Sequence, residues 1–154
     1  MNQKKLLLDQ VNACYGRDTW FVSIKTALNG INAEEASWSN KETTHSVWEI
    51  VNHLIYYNRL YLDKFKGGSV EETAYDNKAT FTEGPVPEWE QTLKVLDQLM
   101  GEWIENIEAS SDTHLEKWAS EINHLALHHT YHVGQIVYIR KAMGRWDAAN
   151  GVLS

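Results

Sequence analysis

The stretch 124-HLALHHTYHVGQIVYIRKAMG-144 carries apolar groups at helical spacing, contains no proline and ends in a glycine. With Ile122, Leu125 and Ile136 on one face, it predicts a helix from about residue 121 to 143, closed by Gly144, after a short turn at 113–118. Four of the chain's seven histidines, His124, His128, His129 and His132, lie within nine of its residues, a density that points to metal chemistry. His128 and His132 are four residues apart, so their side chains stand one above the other, roughly 5–6 Å apart at Cβ. Two imidazoles at that separation can converge on one ion, each at about 2.0–2.1 Å. His129 falls nearer the middle of the apolar stripe, and spacing alone leaves it in competition with His128. His124, near the helix start, reads as exposed.

A first-row ion needs a third ligand, and a second helix has to supply it. Ser46 with Glu49 three positions on forms a capping box, so a helix starts near Val47. Its stripe runs through Val47, Ile50, Val51, Leu54, Tyr57 or Asn58, and Tyr61, until Gly67 and Gly68 end it. His53 lies beside that stripe and is the candidate third ligand. An interior histidine is more often a hydrogen-bonded core residue than a ligand, so it is the joint pattern of three that carries the metal reading. Glu49 stands four residues before His53, but its capping role accounts for it. His45 and His114 sit at helix edges and read as surface residues.

Two further helices complete the pattern. One covers about residues 4–28, with Leu7, Leu8, Val11, Tyr15, Val22 and Ile24, and a polar loop with a short turn at 34–38 follows it. The other follows Pro87, with Trp89, Leu93, Leu96, Leu99 or Met100, Trp103 and Ile107 on one face. Between residues 67 and 87 no periodicity is legible. A link that long suits two parallel neighbours joined by a crossover, and the expected fold is an all-α four-helix bundle in one domain, residues 1–154.

Composition narrows the function. Against 21 acidic residues stand 14 basic ones, a net charge of −7, which disfavours nucleic acid and anionic lipid as partners. No apolar run is long enough to span a membrane, and no secretory leader is legible, so a cytoplasmic location is expected. Cys14, the single cysteine, has no internal partner and receives no role.

The frame His128, His132, Gly134, Gln135 resembles the HxxxHxGQ motif of the DinB-like family of bacterial metal enzymes, and SVWEIVNHL resembles that family's helix-two segment with its histidine at His53. The likeness extends over nearly the whole chain, from Trp20 through residues 36–38 to the last helix. It implies an up-down-down-up bundle, a homodimer, and one divalent ion, zinc or nickel, held by His53, His128 and His132. By its spacing, three residues beyond His132, Gln135 is a candidate to bond a ligating imidazole or a bound water, and equally to make an interhelical bond. Several relatives in that family use low-molecular-weight thiols, transferring bacillithiol or glutathione onto electrophiles or employing mycothiol as the cofactor of an isomerase, while others have no assigned activity, so the resemblance implies a metal-dependent transferase joining a thiol to an electrophile. A metal-dependent hydrolase and a non-catalytic, stress-associated metal-binding bundle are the alternatives. Relatives close to this subgroup often follow the helix-one tryptophan with histidine, glycine and proline, whereas Trp20 is followed by Phe21, Val22 and Ser23, so pocket residues are not carried over.

Overall fold

A computed structural model describes residues 2–40, 42, 45–69, 76–82 and 87–151. Among them the chain is all-helical: α1 (Gln3–Tyr15), α2 (Ile24–Leu28), α3 (Ala33–Ser37), α4 (Val47–Phe65), α5 (Ala79–Thr82), α6 (Trp89–Ala109) and α7 (Asp112–Ala142), followed by a 3-10 turn at Ala148–Asn150. The contacts group into two compact units, Met1–Gly30 with Ile104–Ser154, and Ile31–Trp103. No helix among the described residues is long and apolar enough to cross a membrane.

In the first unit the expected helix over residues 4–28 is two helices. The Asn12 carbonyl accepts from both Gly16 and Arg17, which stops α1. Asp18 then accepts from the Ser23 amide at 2.8 Å and the Thr26 hydroxyl at 3.0 Å, and Ser23 caps α2 by accepting from the Thr26 amide. These short polar side chains offer the backbone a turn that competes with continued helix. Leu7, Val11, Cys14 and Tyr15 of α1 are buried. α1 packs along α7, with Gln10 Nε2 donating to Asn123 Oδ1 at 3.0 Å. The buried Arg140 of α7 donates to the Ala27 carbonyl at 2.8 Å, a cation at the C-terminal end of α2.

The second correction concerns α7, which starts at Asp112 and not at 121. Ser111 caps it by accepting from the His114 amide, and the proposed turn at 113–118 is its first part. Buried Leu115, Ile122, Ala126, Val133 and Ile136 share one stripe that begins well before the histidines. Gly144, with φ +69°, terminates the helix as expected.

In the second unit the capping box is present in full: Ser46 accepts from the Glu49 amide at 3.2 Å and Glu49 Oε2 accepts from the Ser46 amide at 2.7 Å. Such a cap contributes about 1 kcal/mol. Val47, Ile50, Val51, Leu54 and Asn58 are buried, so Asn58 and not Tyr57 continues the stripe. The turn at 34–38 is the helix α3, opened by an Asn32/Glu35 capping box. Trp89 Nε1 donates to the Ile31 carbonyl at 2.9 Å, and Trp48 Nε1 to Thr92 Oγ1 at 3.1 Å, fixing the start of α6 within the unit. The stretch between residues 67 and 87 is not featureless. It contains α5, which packs on α4 and buries Thr80 and Phe81; residues 70–75 and 83–86 of that stretch lie outside the described residues.

Candidate metal centre

His128 and His132 lie one turn apart on α7, and their Nε2 atoms are 3.0 Å from each other, with the rings edge to face. The His132 Nδ1 is 2.7 Å from Gln135 Oε1. An amide oxygen only accepts, so Nδ1 carries the proton and the lone pair of His132 sits on Nε2. Gln135 thus has the orienting place that spacing had suggested for it, and its own amide nitrogen donates to the Tyr131 hydroxyl at 3.4 Å.

His53 on α4 is buried, and its Nδ1 is 2.6 Å from Thr80 Oγ1. The Thr80 hydroxyl donates to the Asn77 carbonyl at 2.7 Å. Its one proton is therefore committed, Nδ1–H of His53 is the donor, and the lone pair of His53 again lies on Nε2. The ring is stacked on Phe81, with centroids 4.0 Å apart, and meets the edge of Tyr57 at 4.8 Å.

One ring nitrogen from each of His53, His128 and His132 lies within 4.8 Å of the others, a cluster able to hold a metal ion. Its donor chemistry fits a divalent ion. Metal ligation requires neutral imidazoles, and burial, aided by the neighbouring His132, pushes the His128 pKa down to about 4. With the lone pair of His132 on Nε2, the short Nε2 to Nε2 contact places a proton on Nε2 of His128; a neutral imidazole frees that lone pair for an ion by carrying its proton on Nδ1 instead. His129 is not in the cluster. It is 1% exposed, and burial, with His128 and His132 adding to it, pushes its pKa down to about 3.

The remaining candidates fall elsewhere. His124 is exposed as expected. His45 and His114, expected at the surface, are partly exposed: His45 stacks on Phe81 at 3.9 Å and His114 lies beside Trp118 at 6.4 Å. Glu49 is held by the Ser46 amide, as its capping role implied. Trp20 is 98% exposed, and Gly134 faces open space. Thr80, Asn77 and Phe81 escaped sequence reasoning; the only local signal was the turn-forming Asp76-Asn77 pair ahead of them.

A family model for the DinB superfamily matches residues 23–136. The chain belongs to the DinB superfamily. That stretch contains His53, His128 and His132 together, so the DinB match and the histidine cluster fall on the same part of the chain. Neither the curated proteins nor the solved structures yield a match to this DinB chain.

Proposed function

We propose that this DinB protein is a metal-dependent transferase that joins a low-molecular-weight thiol to a small electrophile, with His53, His128 and His132 holding one zinc or nickel ion. The observation that carries the reading is the donor set: three histidines, with no carboxylate in the cluster among the described residues. Neutral ligands leave a divalent ion its full charge, and three of them leave a position for a further ligand. When bound, such an ion lowers the pKa of a thiol beside it, so that the thiolate is available near neutral pH.

The chain's own contribution is orientation. Gln135 holds His132, and Thr80 holds His53, each with the ε nitrogen directed as ligand. Burial keeps His128 neutral, so protons do not compete for that ligand at physiological pH. Water activation would need a general base, and the nearest sequence candidate, Glu49, is spent on the cap of α4. Among the described residues this favours thiol over water as the nucleophile.

Turnover of a chromogenic electrophile tests the reading, with bacillithiol, glutathione and mycothiol each assayed with and without zinc or nickel. Turnover requiring both ion and thiol is the expected result. Turnover with the ion alone would make the protein a hydrolase, and none under any condition would leave a non-catalytic metal-binding bundle.

The expected homodimer is proposed on a separate observation. Leu127, Tyr131 and Tyr138 are all exposed on α7 at positions i, i+4 and i+11, one face of the helix, with Gly134 open between them. An uncovered apolar stripe beside a residue with no side chain suits the same face of a second copy.

A further inference from the structure

Thr80 has a fixed place beside one of the three ligand candidates. It is 4% exposed, in a four-residue helix, and its hydroxyl is bonded on both sides, to the Asn77 carbonyl at 2.7 Å and to His53 Nδ1 at 2.6 Å. A carbonyl has no proton to give, so the threonine proton points to Asn77 and the threonine lone pair faces the ring. The contact therefore selects one tautomer of His53, with hydrogen on Nδ1 and the lone pair on Nε2. The same short segment touches the ring once more, through Phe81, and is tied to a second neighbour of the ring, Tyr57 of α4. Phe81 stacks on it, and Tyr57, which meets its edge, donates from its hydroxyl to Asn77 Oδ1 at 2.8 Å.

We propose that Thr80 is a positioning residue: its hydroxyl holds His53 in the Nδ1–H tautomer, and through this bond an ion at Nε2 tightens segment 76–82 against α4. The coupling rests on the metal reading given above; the choice of tautomer does not. Its physical basis is that an ion at Nε2 withdraws electron density from the ring, which makes Nδ1–H a stronger donor to the threonine oxygen. Linkage makes the effect reciprocal. Whatever the ion adds to the hold on α5, the hold on α5 adds to the affinity for the ion.

The test uses the full chain as wild type, Thr80→Val and Thr80→Ser. Valine keeps the branched shape and removes the hydroxyl; serine restores the hydroxyl. Nitrogen-15 NMR of the zinc-free protein reads the tautomer of His53. Competition with a chromophoric chelator gives zinc affinity, and hydrogen exchange of amides 79–82 with and without zinc reads the coupling. The wild type is expected to show hydrogen on Nδ1 and zinc-dependent protection of those amides. In Thr80→Val the tautomer shifts toward Nε2–H, zinc affinity falls about 10- to 100-fold, and the added protection disappears. Thr80→Ser returns all three toward wild type.

Wild-type tautomer and affinity in Thr80→Val would overturn the proposal and leave the metal reading standing. A wild type with hydrogen on Nδ1 but no zinc affinity would instead sink the metal reading and, with it, the coupling. If Thr80→Val does not fold, hydrogen on Nε2 in the wild type still overturns the assignment.

Discussion

His129, 1% exposed, adjoins the half-buried His128, and their pKa values, pushed down to about 3 and about 4, keep both rings neutral for the same first reason, burial. Their difference is direction, since only His128 faces His132 with its ε nitrogen. Elemental analysis of protein purified without an affinity tag is therefore expected to find one divalent ion per wild-type chain, almost none in His132→Ala, and undiminished metal in His129→Leu. Metal lost from His129→Leu while its fold persists would refute the assignment. Cys14 provides an independent check on burial. Its thiol is 1% exposed and its pKa is pushed up to about 12 by burial, against a lesser opposing backbone hydrogen bond. An aromatic disulfide reagent at pH 8 is expected to leave the native thiol unmodified and to titrate it fully once the chain is unfolded.

Among the elements, α2 depends on a charged side chain outside it. Burial raises the Asp18 pKa, and the hydrogen bonds from Ser23 and Thr26 lower it by more, so it lies below the ordinary carboxylate value. A carboxyl depressed by folding stabilises the native state above its unfolded pKa, about 3.9, and that contribution is lost as the pH falls through the lower, folded value. The stability gap between wild type and Asp18→Asn, measured by denaturant unfolding, is expected to be constant above about pH 5 and to close at lower pH. A gap that widened on acidification would contradict this role. The interrupted first helix has the same origin: apolar periodicity ran through residues 16–23, but Asp18 and Ser23 diverted the backbone into a turn. By contrast the Ser46/Glu49 box was legible because both partners lie within one turn of each other.

For the whole molecule, a bound ion and a second copy are both expected to register as stability. An ion that binds only the folded chain adds RT ln(1 + [L]/Kd), about 2.7 kcal/mol at 100 times Kd. Zinc should raise the melting temperature of the wild type and a chelator should reverse the rise, while His132→Ala melts at one temperature in both. A wild type indifferent to chelator would speak against a bound ion. The exposed stripe of α7 gives the remaining expectation: light scattering finds a dimer for the wild type and a monomer for Tyr131→Glu with Tyr138→Glu. A monomeric wild type at micromolar concentration would remove the dimer.

Sequence by itself determined what depends on near neighbours along the chain. The helix caps at Ser46 and Gly144, the apolar stripes of α4, α6 and α7, and the His128–His132 pair are all set by residues within a few positions of one another, where spacing fixes direction. Tertiary structure decided what depends on residues brought together from afar. Thr80 lies 27 positions from His53, in a stretch with no periodicity, yet it determines which nitrogen of that ring carries the proton. Spacing placed His53 beside the stripe of α4. The direction of its lone pair came from a hydrogen bond that no local pattern encodes.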